Sequence, residues 1–264
     1  MRQLVRLLAA ALFLQAGLLQ ALTVDEIVTR HVEARGGMEK IRAIRSLRLT
    51  GKVLVGGGDF AFEAAWARLA VRPGLLREEF TLQGLTAVDA WDGKDAWRIQ
   101  PFEGRRDPER ASADEARARA QEADFEGPLV GWKEKGHTVE YLGTEDVDGT
   151  PAHKLRVTLK DGDVVTLFLD PDLFLTIREA RRQMVRGTEQ LQESDFGSYE
   201  PVAGVLFPFS IESGPPNRPR RAKLTIETAE ANVPADPALF RFPAAGTAVA
   251  RSILPGPKAA AAAP

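Results

Sequence analysis

The clearest periodic stretch of the chain is residues 137–172, where three runs of strand character are separated by two turn signals, Asp146-Val147-Asp148-Gly149 and Lys160-Asp161-Gly162-Asp163. In the middle run His153, Leu155, Val157 and Leu159 alternate with Lys154, Arg156, Thr158 and Lys160. A period of two with one apolar side predicts a strand covered on one face and wet on the other, so the stretch reads as an antiparallel meander. The same period recurs upstream. After Ser46, the residues Leu47, Leu49, Val53 and Val55 share a side, Gly56-Gly57-Gly58-Asp59 make a turn, and Phe60, Phe62, Ala64 and Trp66 continue on the returning strand. Beyond Pro73-Gly74, Leu76, Glu78, Phe80 and Leu82 share one strand face, and Arg77, Glu79 and Thr81 take the other. Residues 85–91 and 96–102 pair across Asp92-Gly93. Downstream, residues 176–185 and 188–199 read as two charged strands joined at Arg186-Gly187, the first near a sheet edge. Pro208 assigns residues 205–211 to an edge or a strand end, and residues 223–231 form a further strand.

Three helices are expected, two from a period near 3.6 and one from its cap. Val24, Ile27, Val28, His31 and Val32 fall on one face of a helix over residues 24–34, which Gly36-Gly37 ends. Met38, Ile41 and Ile44 give a second short helix one apolar side, and the two together read as a cover for the sheet. Residues 104–109 break the hairpin pattern, after which Ser112-Ala113-Asp114-Glu115 is a capping box that opens a helix to about Ala123. That helix is rich in alanine and lacks an apolar stripe, which predicts a lid or lateral segment with modest burial.

Composition narrows the setting. The first 21 residues have Arg2 and Arg6, an apolar run and a small-residue end at Ala21, the layout of an export signal cut after Ala21. One domain over residues 22–245 follows, and residues 246–264, with Pro255-Gly256-Pro257 and an alanine run, read as a disordered tail. Residues 1–21 hold two of the 35 basic and none of the 37 acidic residues, so the exported chain carries a formal charge of −4. That balance argues against nucleic acid as a partner. The chain has no cysteine, which excludes disulfides and lipid attachment at a signal cleavage site, and the expected location is the periplasm, soluble and not lipid-anchored.

Signatures of catalysis are missing. The sequence contains no G-x-S-x-G elbow, no H-E-x-x-H, no phosphate-binding loop and no G-x-G-x-x-G. Gly56 to Gly58 precede a strand, so they read as a hairpin turn and not a phosphate cradle. His31, His137 and His153 are far apart, and His31 and His153 sit on apolar faces, which favours satisfied buried histidines over a metal or catalytic set. Asp146, Asp148, Asp161, Asp163, Asp170 and Asp172 lack calcium-loop spacing and read as turn residues. No catalytic residue, metal or cofactor is expected.

An amino-terminal helix ending in Ala34-Arg35-Gly36-Gly37, the meander between Tyr141 and Asp170, Gly204-Val205-Leu206-Phe207-Pro208, and a closing Asn232-Val233-Pro234 with Leu239-Phe240 together resemble the outer-membrane lipoprotein-sorting (LolA-like) family. The resemblance implies an α+β fold: a strongly curved antiparallel sheet, an unclosed half-barrel, with helices covering its concave face and an apolar cavity between. It also implies a carrier that binds a lipid or the acyl chains of a lipoprotein and hands it on toward the outer membrane, with a membrane protein as donor or acceptor. Carriers of this family hold a lid closed through a polar contact, typically from an arginine, and the resemblance assigns no arginine of this chain to it. Cavity candidates are Phe60, Phe62, Trp66, Leu76, Phe80, Trp91, Trp97, Leu155, Val157 and Leu167, each of them packed core or cavity lining. Two alternatives stand beside the carrier: an envelope sensor or adaptor of the same fold that binds a membrane-protein partner, and a hydrolase whose site follows no known motif.

Overall fold

Thr23 opens the first helix, α1 (Val24–Ala34), by a reciprocal cap in which its hydroxyl accepts from the Glu26 amide and the Glu26 carboxylate accepts from the Thr23 amide. Ile27, Val28, His31 and Val32 turn inward, and the helix stops where Gly36 and Gly37 take φ of 119° and 91°. A second helix, α2 (Met38–Ala43), buries Ile41. The computed structural model describes residues 22–57, 60–185, 188–243 and 252–254. The expected export signal, most of the expected tail, and the turns at Gly58-Asp59 and Arg186-Gly187 lie outside the described residues.

The rest of the chain is mostly β. Six strands follow α2: β1 (Ser46–Gly57), β2 (Phe60–Val71), β3 (Leu75–Leu82), β4 (Leu85–Trp91), β5 (Ala96–Gln100) and β6 (Arg105–Arg110). A third helix, α3 (Ala113–Glu122), leads to β7 (Thr138–Val147), β8 (Thr150–Thr158), β9 (Val164–Leu169), β10 (Thr176–Val185), β11 (Thr188–Val202), β12 (Val205–Gly214) and β13 (Ala222–Ala231). All thirteen join one antiparallel sheet in the order β6-β5-β4-β3-β2-β1-β13-β12-β11-β10-β9-β8-β7. The chain walks out to one edge, crosses by α3 to the other edge, and walks back until its last strand pairs with its first.

Three sequence expectations change. The break expected at residues 104–109 is instead mostly the edge strand β6 (Arg105–Arg110), paired to β5 from Trp97 opposite Arg110 to Gln100 opposite Arg105. An edge strand needs no apolar face, and its charges and Pro108 guard the open side. Strand β10 is interior, between β9 and β11, because its charges find partners: Arg178 meets Asp195 at 2.5 Å and Arg181 meets Glu179 at 2.5 Å. Pro208 is in β12, interior by order, yet β12 pairs with β13 only over Ser210 to Ser213. At Pro208 the strand has β11 on one side alone, so its missing N–H costs no ladder bond.

The two faces are covered differently. On one, α1, α2 and the segment at Leu129 and Val130 pack on Leu155, Val157, Val165, Leu167 and Leu169. On the other, the carboxy-terminal segment closes over β2, β3 and β5: Trp97 donates to the Phe240 carbonyl at 2.7 Å, and the buried Arg77–Glu79 pair, 2.7 Å apart, is held by the Leu239 carbonyl and the Ile253 amide. Ser252 also donates to Glu79, and Ile253 is buried beside Leu69 and Phe240.

The two motifs Ala34-Arg35-Gly36-Gly37 and Gly204-Val205-Leu206-Phe207-Pro208 meet. The Leu206 amide donates to the Arg35 carbonyl at 2.8 Å, and a Cβ on Gly36 would fall 2.2 Å from the Gly204 carbonyl oxygen. Gly36→Ala is expected to lose at least about 2 kcal/mol of stability, a fall of roughly 4–8 °C in Tm, while Gly37→Ala, with nothing within 4 Å of its Cβ, loses about 1 kcal/mol of stability to backbone strain alone. Thermal melts of the two variants side by side check this; equal losses would mean that the carbonyl contact does not set the helix position.

Candidate functional site

Between the helix-covered face and α3 lies a cavity of about 1300 Å³. Its walls come from β1 to β3 on one side and from β9 to β13 on the other, because the inward positions of those strands recur every second residue. Trp66 and Phe80 stand opposite one another across β2 and β3, and Leu49, Val53, Leu167 and Leu224 continue the apolar lining. An edge-to-face row runs from Phe62 through Phe80 to Phe102, at centroid separations of 6.5 and 5.6 Å, and carries the lining out to exposed rings.

Of the ten candidates from sequence, Trp66, Phe80 and Leu167 line the cavity. Phe62 is 44% exposed in contact with Phe80, and the side chain of Phe60 lies outside the described residues. Leu76 is fully buried with Ala70 and Ala123, Trp91 packs on that cluster, and Leu155 and Val157 are filled core under α1. Trp97 is corrected to the opposite face. It pairs with Ala90, one residue out of phase with Trp91, and a single step along a strand reverses the side chain.

Charged groups within the walls were not expected of an apolar cavity. Arg68 lies directly across from Glu78 and pairs with it at 2.6 Å, on the same face as Trp66 and Phe80. Burial raises the Glu78 carboxyl while Arg68 and Arg119 lower it, with a net fall below the usual value. Glu179–Arg181 forms a second pair in the wall. The period-two pattern already placed Glu78 between Leu76 and Phe80; what it lacked was the register that sets Arg68 opposite.

The loop after α3 is pinned by three cations. Lys135 reaches Asp124 at 2.5 Å and the Gly127 carbonyl at 2.9 Å. Arg72 pairs with Glu126, donates to the carbonyls of Ile44 and Ile41, and stacks over Phe125. Arg35 donates to the Glu126 carbonyl and lies 5.4 Å over the Phe207 ring. Helix α3 itself buries no residue and is held at its ends by polar contacts, Glu115 to Arg98 on β5 and Gln121 to Asp161 and Asp163 at the β8–β9 turn, the latter two at 2.9 and 2.6 Å.

The fold brings two of the three histidines onto one residue. His31 Nδ1–H donates to the Phe174 carbonyl at 2.8 Å, and the His153 ring stacks on the Phe174 ring at 5.2 Å and contacts the Tyr141 hydroxyl at 3.0 Å. His137 accepts from the Lys160 amide at 3.1 Å. The aspartates serve turns: Asp146 accepts from Gly149, Asp161 from Asp163, and Asp170 from Asp172 and Leu173. Among the described residues no group of three His, Cys, Asp or Glu is placed to hold a metal ion.

Burial, with the nearby Arg35 charge, pushes His31 down to about 4 against the Phe174 hydrogen bond. The unfolded chain then binds the extra proton between about pH 6.5 and pH 4, so the folded state loses stability as pH falls through that window, on the order of 3 kcal/mol in full. Urea unfolding at pH 7.5 and pH 5 should show this loss, and His31→Gln should shrink it; an imidazole midpoint near 6.5 by NMR would contradict it.

No protein-family model matches the chain, and no curated protein matches it by sequence. Solved structures do match the fold. A LolA superfamily protein from Nitrosomonas europaea superposes with a TM-score of 0.58 at 15% identity, covering 84% of this chain and 98% of its own. A DUF1329 family protein from Desulfovibrio piger gives 0.54 at 13% identity, covering 83% and 97%. A domain described as an outer membrane lipoprotein-sorting protein, from Vibrio parahaemolyticus, gives 0.50 at 12%, covering 80% and 93%. The chain therefore has the fold seen in LolA superfamily and outer-membrane lipoprotein-sorting structures.

Proposed function

We propose that this protein is a periplasmic carrier that takes a lipid, or the acyl chains of a lipoprotein, into the cavity and hands it on toward the outer membrane. The observation that carries the reading is the cavity itself, about 1300 Å³ between sheet and helices with an aromatic and aliphatic lining. Small-molecule pockets occupy roughly 300–1,000 Å³, so a long flexible chain suits this space better than a compact metabolite. Burying ten methylenes contributes about 8 kcal/mol before the cost of association, with no specific polar contact needed.

The sheet acts in this reading as an unclosed half-barrel. Nine strand steps separate β5 from β9, about 40 Å along a flat sheet, yet α3, ten residues and roughly 15 Å long, touches β5 through Glu115 and the β8–β9 turn through Gln121. Curvature brings the two halves within reach of one helix. Helix α3 and the loop at Asp124 to Gly127 then form the movable cover, and Arg35 and Arg72, which both bind Glu126, supply the arginine contact that closes it. One domain over residues 22–245, exported by the signal at residues 1–21, completes the proposal; among the described residues no helix is long and apolar enough to cross a membrane.

Titration with a long-chain phospholipid should quench or shift Trp66 fluorescence to saturation, and Trp66→Phe should abolish most of the change. Phe80→Asp, which puts a charge in the apolar wall, should weaken binding at least about tenfold. A flat response, together with no lipid mass on protein taken from the periplasm by native mass spectrometry, would reject the carrier reading.

A further inference from the structure

Most of the buried charges in the cavity walls are paired. Arg68 is paired with Glu78, Arg181 with Glu179, Arg72 with Glu126, and Lys135 with Asp124 and Glu126. Among the described residues Arg35 is the buried cation lining the cavity that has no carboxylate within ion-pair distance; Lys160, likewise without one, is exposed at the β8–β9 turn.

Arg35 is 8% exposed, and its protein contacts are the Glu126 carbonyl, taken by one terminal nitrogen, and the Phe207 ring beneath the guanidinium. A guanidinium has five N–H donors in a fixed fork, and here Nε and Nη2 have no acceptor among the described residues. They are not sealed in the core either: among the described residues the buried side-chain polar atom without a partner is Arg98 Nε. Arg35 lines the cavity, which puts that space within reach of its remaining donors. Of the acidic groups that act on its charge, the Tyr199 hydroxyl donates to the Thr176 carbonyl, Glu126 is engaged by Arg72 and Lys135, and Asp124 by Lys135. Burial works against the Arg35 charge, yet an arginine does not give up its proton in a protein, so a fixed positive charge with free donors remains at one end of an apolar space.

We infer that Arg35 is the anchor for the anionic headgroup of the carried amphiphile, so that the cavity selects a single negatively charged head, carboxylate or phosphate, over a neutral one. The inference rests on the carrier reading and adds headgroup selectivity and orientation to it: the head lies at the C-terminal end of α1 against Arg35, and the tail runs along Trp66 and Phe80 toward the Phe102 rim. Phe207 holds the guanidinium plane from one side, which presents the fork to an incoming oxyanion.

Four amphiphiles with the same twelve-carbon tail separate head from tail: dodecanoate, dodecyl phosphate, dodecanol and dodecyltrimethylammonium, each below its micelle concentration, followed by Trp66 fluorescence and calorimetry. The wild-type protein should bind one or both anions at least about tenfold more tightly than dodecanol, and the cation no more tightly than dodecanol. Which anion binds better identifies a fatty acid or a phosphate-bearing lipid as the source. Arg35→Gln, whose amide can still donate to the Glu126 carbonyl, should bring the anion preference below about threefold, and Arg35→Lys should retain most of it. Dodecanol binding as well as the anions, or an undiminished preference in Arg35→Gln, would overturn the anchor and leave the carrier reading standing. Binding of none of the four would overturn both. Should Arg35→Gln fail to fold, the wild-type ratios and Arg35→Lys decide alone.

Discussion

Everything at the helical end of the molecule depends on how closely two backbones approach. Gly36 sits against the Gly204 carbonyl at a distance that leaves no room for a β-carbon, and the adjacent Leu206 amide completes the contact with the Arg35 carbonyl. That approach sets where α1 ends and carries the Arg35 side chain over Phe207. Had the helix ended half a turn later, Arg35 would not face the cavity. Two short glycine motifs far apart in the chain are thus one structural joint.

The second constraint is area. One face of thirteen strands is far larger than two short helices and a loop can cover, so the apolar face divides into filled core beneath α1 and open cavity beyond it. Leu155 and Val157 fall in the first part and Trp66 and Phe80 in the second, although all four come from the same alternating pattern. The opposite face is covered by a different segment. There the carboxy-terminal segment lies across β2, β3 and β5 and satisfies a buried Arg77–Glu79 pair with backbone groups, as a charge pair out of water requires.

Charges inside the cavity follow the same economy of pairing. Arg68 and Glu78 are opposite one another in register, so each is compensated without disturbing the strand, and the apolar side chains around them remain the larger part of the wall. Arg35 differs because its acceptors are a backbone carbonyl and a ring, neither of which carries a full charge. The cations at the loop after α3 also explain how a helix with no buried residue stays in place: its ends are tied by side-chain contacts to β5 and to the β8–β9 turn.

By itself the sequence determined the local elements. The alternation at residues 150–158, the turns with aspartate and glycine, the apolar stripe of α1 and the Ser112–Glu115 cap are all set by interactions within a few residues, and each forms where the pattern places it. It missed β6, because an edge strand is made by its neighbour's backbone and leaves no apolar period, and it set Trp97 on the cavity side, because strand phase is fixed only by pairing. Tertiary structure alone decided which apolar residues became core and which became wall, that His31 and His153 meet at Phe174, and that Arg35 is left with donors to spare. Those outcomes turn on contacts between separate elements, with 143 residues between His31 and Phe174 and 91 between Arg35 and Glu126, and no pattern of neighbouring residues encodes them.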